Sequence, residues 1–155
     1  MIDDLKFKAP FTSIISGPSG SGKSSFCIRF LQNLHTLCTE RHFPGGITWC
    51  YSERAAVPSL AGLNVSFHDG VPDKIGDAQC RPCLVILDDL LNVGYSEQVC
   101  DLFTKGSHHR NISMKLITQN LFHQRLYCRN ISLNAKYLVQ LKTVWDKRQF
   151  MHLAS

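Results

Sequence analysis

Residues 17–24 read Gly17-Pro18-Ser19-Gly20-Ser21-Gly22-Lys23-Ser24, a complete G-x-x-x-x-G-K-[ST] pattern, and the reading of this stretch decides the fold. A glycine-rich segment can bend its backbone tightly enough to point successive N–H groups at one place, a conformation that residues with a Cβ resist. A helix directly after it aims its positive end at the same place. The two together make a cradle for a polyphosphate, and so mark a nucleoside-triphosphate site. Lys23 is the mobile point charge expected on the β and γ phosphates, and the Ser24 hydroxyl is expected to take one coordination position on Mg²⁺. Ser25, the next residue, is grouped with the loop as nucleotide-binding.

Eight residues of this composition can also form a glycine–serine turn of no function, so the flanks test the pattern. Thr12, Ser13, Ile14, Ile15 and Ser16 form a short β-branched run that ends directly in the loop, as a buried parallel strand does. After the loop, Phe26, Phe30 and Leu34 recur at helical spacing, with Cys27, Leu31 and Cys38 one register over, giving one apolar stripe.

Farther out, Pro44-Gly45-Gly46 breaks the helical pattern and I-T-W-C-Y at 47–51 reads as a second strand. Residues 63–67 read as a short edge strand and 69–82 as loop. The apolar run at 84–87 is a buried strand closed by Asp88 and Asp89. Helical spacing returns at 95–104. Residues 114–118 and 137–141 read as further core strands and 144–154 as a terminal helix. Strands separated by helices or long crossovers imply an α/β fold, a parallel sheet with helices on both faces and ligands at the carboxyl ends of the strands.

The acids fit that placement. Asp88 is expected to hold Mg²⁺, directly or through water, and Asp89 to polarise the attacking water, the chain turning at the strand end so that both face one side. The plainer alternative is that the pair caps the following helix. Two strands lie between the loop and the acids, and a further one ends in Thr118-Gln119-Asn120. That order resembles the additional-strand (ASCE, RecA-like) class of P-loop NTPases, with Gln119 as a γ-phosphate sensor. Its carboxamide can donate to the phosphate and accept from water at once, which a carboxylate cannot.

At 155 residues with 44% hydrophobic content, the chain reads as one domain over 1–155. It has no long apolar run, and the start M-I-D-D-L-K-F-K lacks the layout of a secretion signal, so an intracellular protein without a membrane partner is expected. Seven scattered cysteines read as reduced thiols. Cys80 and Cys83 form a C-R-P-C pair in the turn before a strand. No second pair stands at finger spacing, and only His108 and His109 offer to complete a zinc site. The net charge of +5 falls mostly in the second half, on Lys105, Arg110, Lys115, Arg129, Lys136 and others. It fits a nucleic-acid partner, although such an excess is more often a solvated face.

The run L-F-T-K-G-S-H-H-R-N-I-S-M-K-L-I-T-Q-N-L-F at 102–122, the run R-N-I-S-L-N-A-K-Y at 129–137 and Trp145-Asp146-Lys147-Arg148-Gln149 resemble the poxvirus-type genome-packaging ATPases. Relatives of these occur in adintoviruses and in Polinton (Maverick) elements, within the FtsK–HerA superfamily of ring motors. The resemblance covers most of the chain in the right order. It implies a homo-oligomeric ring that hydrolyses ATP with Mg²⁺ and moves double-stranded DNA into a capsid. Capsid or portal-like proteins are the implied partners, in the host nucleus, a cytoplasmic virus factory or the virion. It also implies an arginine that completes the neighbouring subunit's site, for which Arg110 and Arg129 are the candidates. His108, His109 and Asn111 are expected to tie that loop to the nucleotide or the neighbour, or to be plain polar loop residues. The family continues past the terminal helix into a further strand whereas this sequence stops at Ser155, so an unpaired sheet edge is expected there. Two other readings use the same loop: a small-molecule kinase, for which no lid segment stands out, and a truncated or host-captured copy that binds nucleotide or partners without turnover.

Overall fold

The computed structural model describes residues 6–52, 62–90, 96–103, 110–119, 131 and 134–142. Six strands form one all-parallel sheet: β1 (Thr12–Ser16), β2 (Ile47–Tyr51), β3 (Ser66–Asp69), β4 (Cys83–Asp88), β5 (Ile112–Thr118) and β6 (Tyr137–Gln140). Their order is β3-β2-β4-β5-β1-β6. Hence β5 is inserted between β1, which runs into the glycine-rich loop, and β4, which ends in the acids. That is the additional strand of the expected class. Because every strand points the same way, the segments leaving β1, β2, β4 and β5 gather along one edge of the sheet.

The central strands are apolar on both faces because both faces are covered. Side chains alternate along each strand, so Leu84 and Ile86 point to one side with Ile15, Trp49 and Ile117, packed against Cys27, Phe30 and Leu31 of α1 (Lys23–Gln32). Val85 and Leu87 point to the other side with Ile14, Met114 and Leu116, against Val99 and Cys100 of α3 (Ser96–Asp101) and Phe103. Each large aliphatic side chain buried this way contributes roughly 1.5–3 kcal/mol of transfer free energy. β1 and β4 are both interior strands of the sheet, paired on each side, and the site hangs from their carboxyl ends.

Several sequence expectations shift by a few residues, each for a physical reason. The apolar stripe from Phe26 to Cys38 is not one helix. Asn33 ends α1, its side-chain amide donating to the Arg29 carbonyl at 2.8 Å, and the single turn α2 (Leu34–Leu37) follows. Asparagine competes in this way for helical carbonyls. Cys38 is buried but extended, bridged to Phe7. The edge strand runs Ser66–Asp69, not 63–67: Leu63 and Val65 pack on the core by their side chains, while backbone pairing with Thr48–Tyr51 begins at Ser66. Cys83 opens β4 and is buried, whereas Cys80 is exposed. Among the described residues no cluster of three or more His, Cys, Asp or Glu could hold a metal by itself. The terminal helix expected at 144–154 lies outside the described residues. Among the described residues β3 and β6 are the sheet edges, and Leu138 on β6 is half exposed.

The largest departure concerns Lys115. Counted with the basic excess that would face a nucleic acid, it is instead fully buried in the middle of β5. Among the described residues its Nζ has no hydrogen-bond partner, and it lies 3.7 Å from the Phe30 ring centre and 4.3 Å from that of Phe7. Strand alternation points it toward α1, beside Phe11 and Phe26.

Candidate nucleotide site

The loop between β1 and α1 owes its path to its glycines. Gly20 and Gly22 have φ 81° and 93°, left-handed values that side chains disfavour. Gly22 is the N-cap of α1, so the helix starts where the loop ends. Gly17 serves a different need, close approach. A Cβ there would lie 2.6 Å from the Leu141 carbonyl and 2.6 Å from the Ser21 hydroxyl, which is buried without a hydrogen-bond partner. Gly17 N–H donates to the Thr118 carbonyl at 3.2 Å, stitching the loop to the end of β5. Overpacking such a contact costs roughly 1–3 kcal/mol. Gly17→Ala is therefore expected to distort the loop and weaken binding of a fluorescent ATP analogue by roughly 5- to 100-fold, the same 1–3 kcal/mol at 1.4 kcal/mol per decade, while the sheet still unfolds cooperatively.

A cleft of about 140 Å³ opens at the carboxyl ends of the strands, lined by Ser19, Lys23, Ser24, Tyr51, Ser52, Asp88, Asp89 and Gln119. That volume is below the roughly 300 Å³ at which pockets for whole drug-sized ligands begin, and suits a polyphosphate tail. Lys23 crosses the loop, its Nζ donating to the Gly17 carbonyl and, at 3.1 Å, to that of Pro18. Burial pulls its pKa below the usual lysine value, against the pull of Asp89 and then Asp88. Asp88 is the last residue of β4, and Asp89 leaves the strand at φ 57°, its N–H donating to the Ile117 carbonyl at 3.0 Å. This turn brings both carboxylates to the cleft. Burial pushes the Asp88 carboxyl upward, an effect opposed by the Trp49 indole, whose Nε1–H donates to Asp88 Oδ2 at 3.2 Å. Gln119 is exposed directly after β5 and faces the same cleft.

The donor set suits a hard cation. Ser24, Asp88 and Asp89 present only oxygen, which is the chemistry Mg²⁺ takes, and one or two carboxylates completed by phosphate oxygens and water is its usual nucleotide arrangement. With so few protein ligands, a metal held here depends on the nucleotide.

Other expected site residues lie elsewhere. Arg110 is exposed just before β5, at the amino end of the sheet and so opposite the cleft, and it does not reach its own subunit's site. Asn111 is not at the nucleotide loop either: its side chain donates to the Cys80 carbonyl at 3.3 Å, tying two turns at that far end. Arg129, His108, His109 and Asn120 fall outside the described residues. The sequence reading missed Trp49, Tyr51 and Ser52. Tyr51 pairs in register with Asp88, a neighbour relation that only the order of strands reveals.

Fold and loop together define the α/β P-loop NTPase fold with its additional strand. No family model matches the chain, and no curated protein does. Among solved structures it is similar to the cytoplasmic domain of EssC, with a TM-score of 0.57 and 13% identity over 97% of this chain. The chain spans 34% of that structure's length, and at this identity the likeness is one of fold.

Proposed function

We propose that this chain is the ATP-hydrolysing subunit of a homo-oligomeric ring that drives double-stranded DNA into a capsid. The observation that carries the reading is the meeting of Lys23, Ser24, Asp88, Asp89 and Gln119 in one cleft, at the ends of three adjacent strands and over a glycine-rich loop. A bare nucleotide binder has no need of the last two beside the γ-phosphate position, and a kinase, which also uses a carboxylate there, would need an acceptor site as well. The likeness to the cytoplasmic domain of EssC supports the fold, and the motor reading rests on the resemblance of the 102–122 and 129–137 runs.

In this reading the loop N–H groups and the α1 N-terminus bind the phosphates. Lys23 leaves the Gly17 and Pro18 carbonyls for the β and γ oxygens. Ser24 and Asp88 hold Mg²⁺, which when bound neutralises charge on the phosphates and orients them. Asp89 accepts a proton from the water aligned by Gln119. Aspartate is shorter than the glutamate common at that position, so the water sits closer or turnover is slower. An arginine from the neighbouring subunit then stabilises charge on the transferred phosphoryl group. Arg110 faces away from its own site, and an arginine acting across an interface must do so.

ATP hydrolysis by the chain, measured with and without double-stranded DNA, tests the proposal. Stimulation by DNA supports the motor. Turnover that requires a small phosphate acceptor would mean a kinase, and nucleotide binding without turnover would mean a non-enzymatic copy. Mixing Arg110→Ala or Arg129→Ala subunits with Lys23→Ala subunits should restore partial activity only for the arginine that acts in trans.

A further inference from the structure

We infer that Trp49 is a positioning residue for the metal-side carboxylate, its indole N–H holding one oxygen of Asp88 so that the other is presented to the cation. The inference rests on the function proposed above. Trp49 on β2 lies opposite Ile86 on β4, and Ile86 and Asp88 are two residues apart and share the α1 face of the sheet. Asp88 is thus the diagonal neighbour of Trp49, a span of roughly 7–8 Å between Cα atoms that only a long or aromatic side chain crosses. The indole crosses it and reaches Asp88 Oδ2 at 3.2 Å.

Two properties of the indole suit this task. It is a donor only, so it can bind a carboxylate oxygen but cannot compete for the cation. It is also neutral, so it orients Asp88 without setting a second positive charge against the metal, as an arginine or lysine at 49 would. Its own orientation is fixed, since Trp49 is fully buried and its ring packs at 6.5 Å from that of Phe67. Phenylalanine at 49 would keep most of the packing and lose the donor.

The test compares the full-length chain with Trp49→Phe in two binding measurements that do not depend on turnover. One is calorimetric binding of ATP in EDTA. The other is binding of Mn²⁺ in the presence of saturating ATP, read by electron paramagnetic resonance. Loss of an outer hydrogen bond to a metal ligand lowers metal affinity by roughly tenfold or more, so Mn²⁺ binding should weaken about that much while metal-free ATP binding stays unchanged. Equal weakening of both would mean that Trp49 only packs, and no change in either would mean that its N–H does nothing, and each result overturns the inference. Failure of the unaltered chain to bind ATP at all overturns the proposed function along with it. Because Trp49→Phe removes volume from a packed core, a second measurement uses the native indole. The chain has two tryptophans, and Trp145→Phe leaves Trp49 as the sole source of an indole N–H resonance. That resonance should move on addition of Mg²⁺ and ATP, and also in Asp88→Asn. A resonance that ignores both changes contradicts the inference.

Discussion

Replacing Lys23 by alanine is expected to lower ATP turnover by roughly 10²–10³-fold, the scale set by removing one preorganised donor from a developing charge. The ammonium is held on the Gly17 and Pro18 carbonyls, beside a cleft that also contains Asp88 and Asp89. Without it, two carboxylates and two carbonyls would meet a triphosphate with less positive charge to balance them, so binding should weaken as well. Each lost bond from the ammonium to a carbonyl is worth roughly 1.5–3 kcal/mol, and no longer burying the charge offsets much of that, so unfolding should change far less than turnover. Lys23→Arg is not expected to rescue activity, because a planar guanidinium cannot follow the tight loop as a point charge does. Phosphate release and nucleotide calorimetry on the three proteins check this. Turnover by Lys23→Ala at the rate of the unaltered chain would remove the loop from the chemistry.

The second large effect is on stability. Burial brings the Lys115 pKa down from 10.5 to about 8, with Cys27 and Cys38 pulling weakly upward. At 1.36 kcal/mol per unit the shift corresponds to about 3 kcal/mol against the folded state at neutral pH. The rings of Phe7 and Phe30 face the ammonium, yet among the described residues no acceptor does. Lys115→Met keeps the shape and removes the charge, and should raise the unfolding free energy at pH 7 by about 1–3 kcal/mol, the ring faces offsetting part of the burial cost.

The pH dependence gives a sharper signature. Since the folded pKa of Lys115 lies below the unfolded one, the unfolded chain binds more protons between about 8 and 10.5, and stability rises with pH over that window. The buried thiols act in the opposite sense. Burial raises Cys27 and Cys50 from 9.0 to about 12 and Cys83 to about 11, so their contribution is present below 9.0 and is lost as pH climbs through those values. Between about pH 8 and 9 the buried thiols do not yet oppose the rise, Lys23 is shifted in the same direction as Lys115, and denaturant unfolding there should show a rise that Lys115→Met reduces sharply. A less stable variant with the same rise would refute this account of the charge.

Much of the fold could be read in the chain because its strands are short apolar runs with glycine or acids at their ends. β1 and β2 fall where T-S-I-I-S and I-T-W-C-Y place them, and β4 and β5 each begin only a residue or two earlier than the apolar run suggests. Order along the chain, with a strand after the acids, pointed to the additional-strand class by resemblance, and the sheet itself has β5 between β1 and β4. What could not be read was facing. Lys115 counts as surface charge by residue type, and only its position inside an apolar run on a strand covered from both sides signals burial. Arg110 and Gln119 both flank β5, but at opposite ends, so one lines the cleft and the other cannot. Trp49 gave no local sign at all. Its bond to Asp88 crosses 39 positions and depends on the parallel register of β2 and β4.

Mg²⁺-dependent release of phosphate from ATP by the purified full-length chain tests most directly whether the cleft at the ends of β1, β4 and β5 is a hydrolytic site. Continuous release that stops on chelation and is absent in Lys23→Ala is the predicted result. ATP bound at one site per chain, with no phosphate released in the presence of Mg²⁺ and double-stranded DNA, would contradict it.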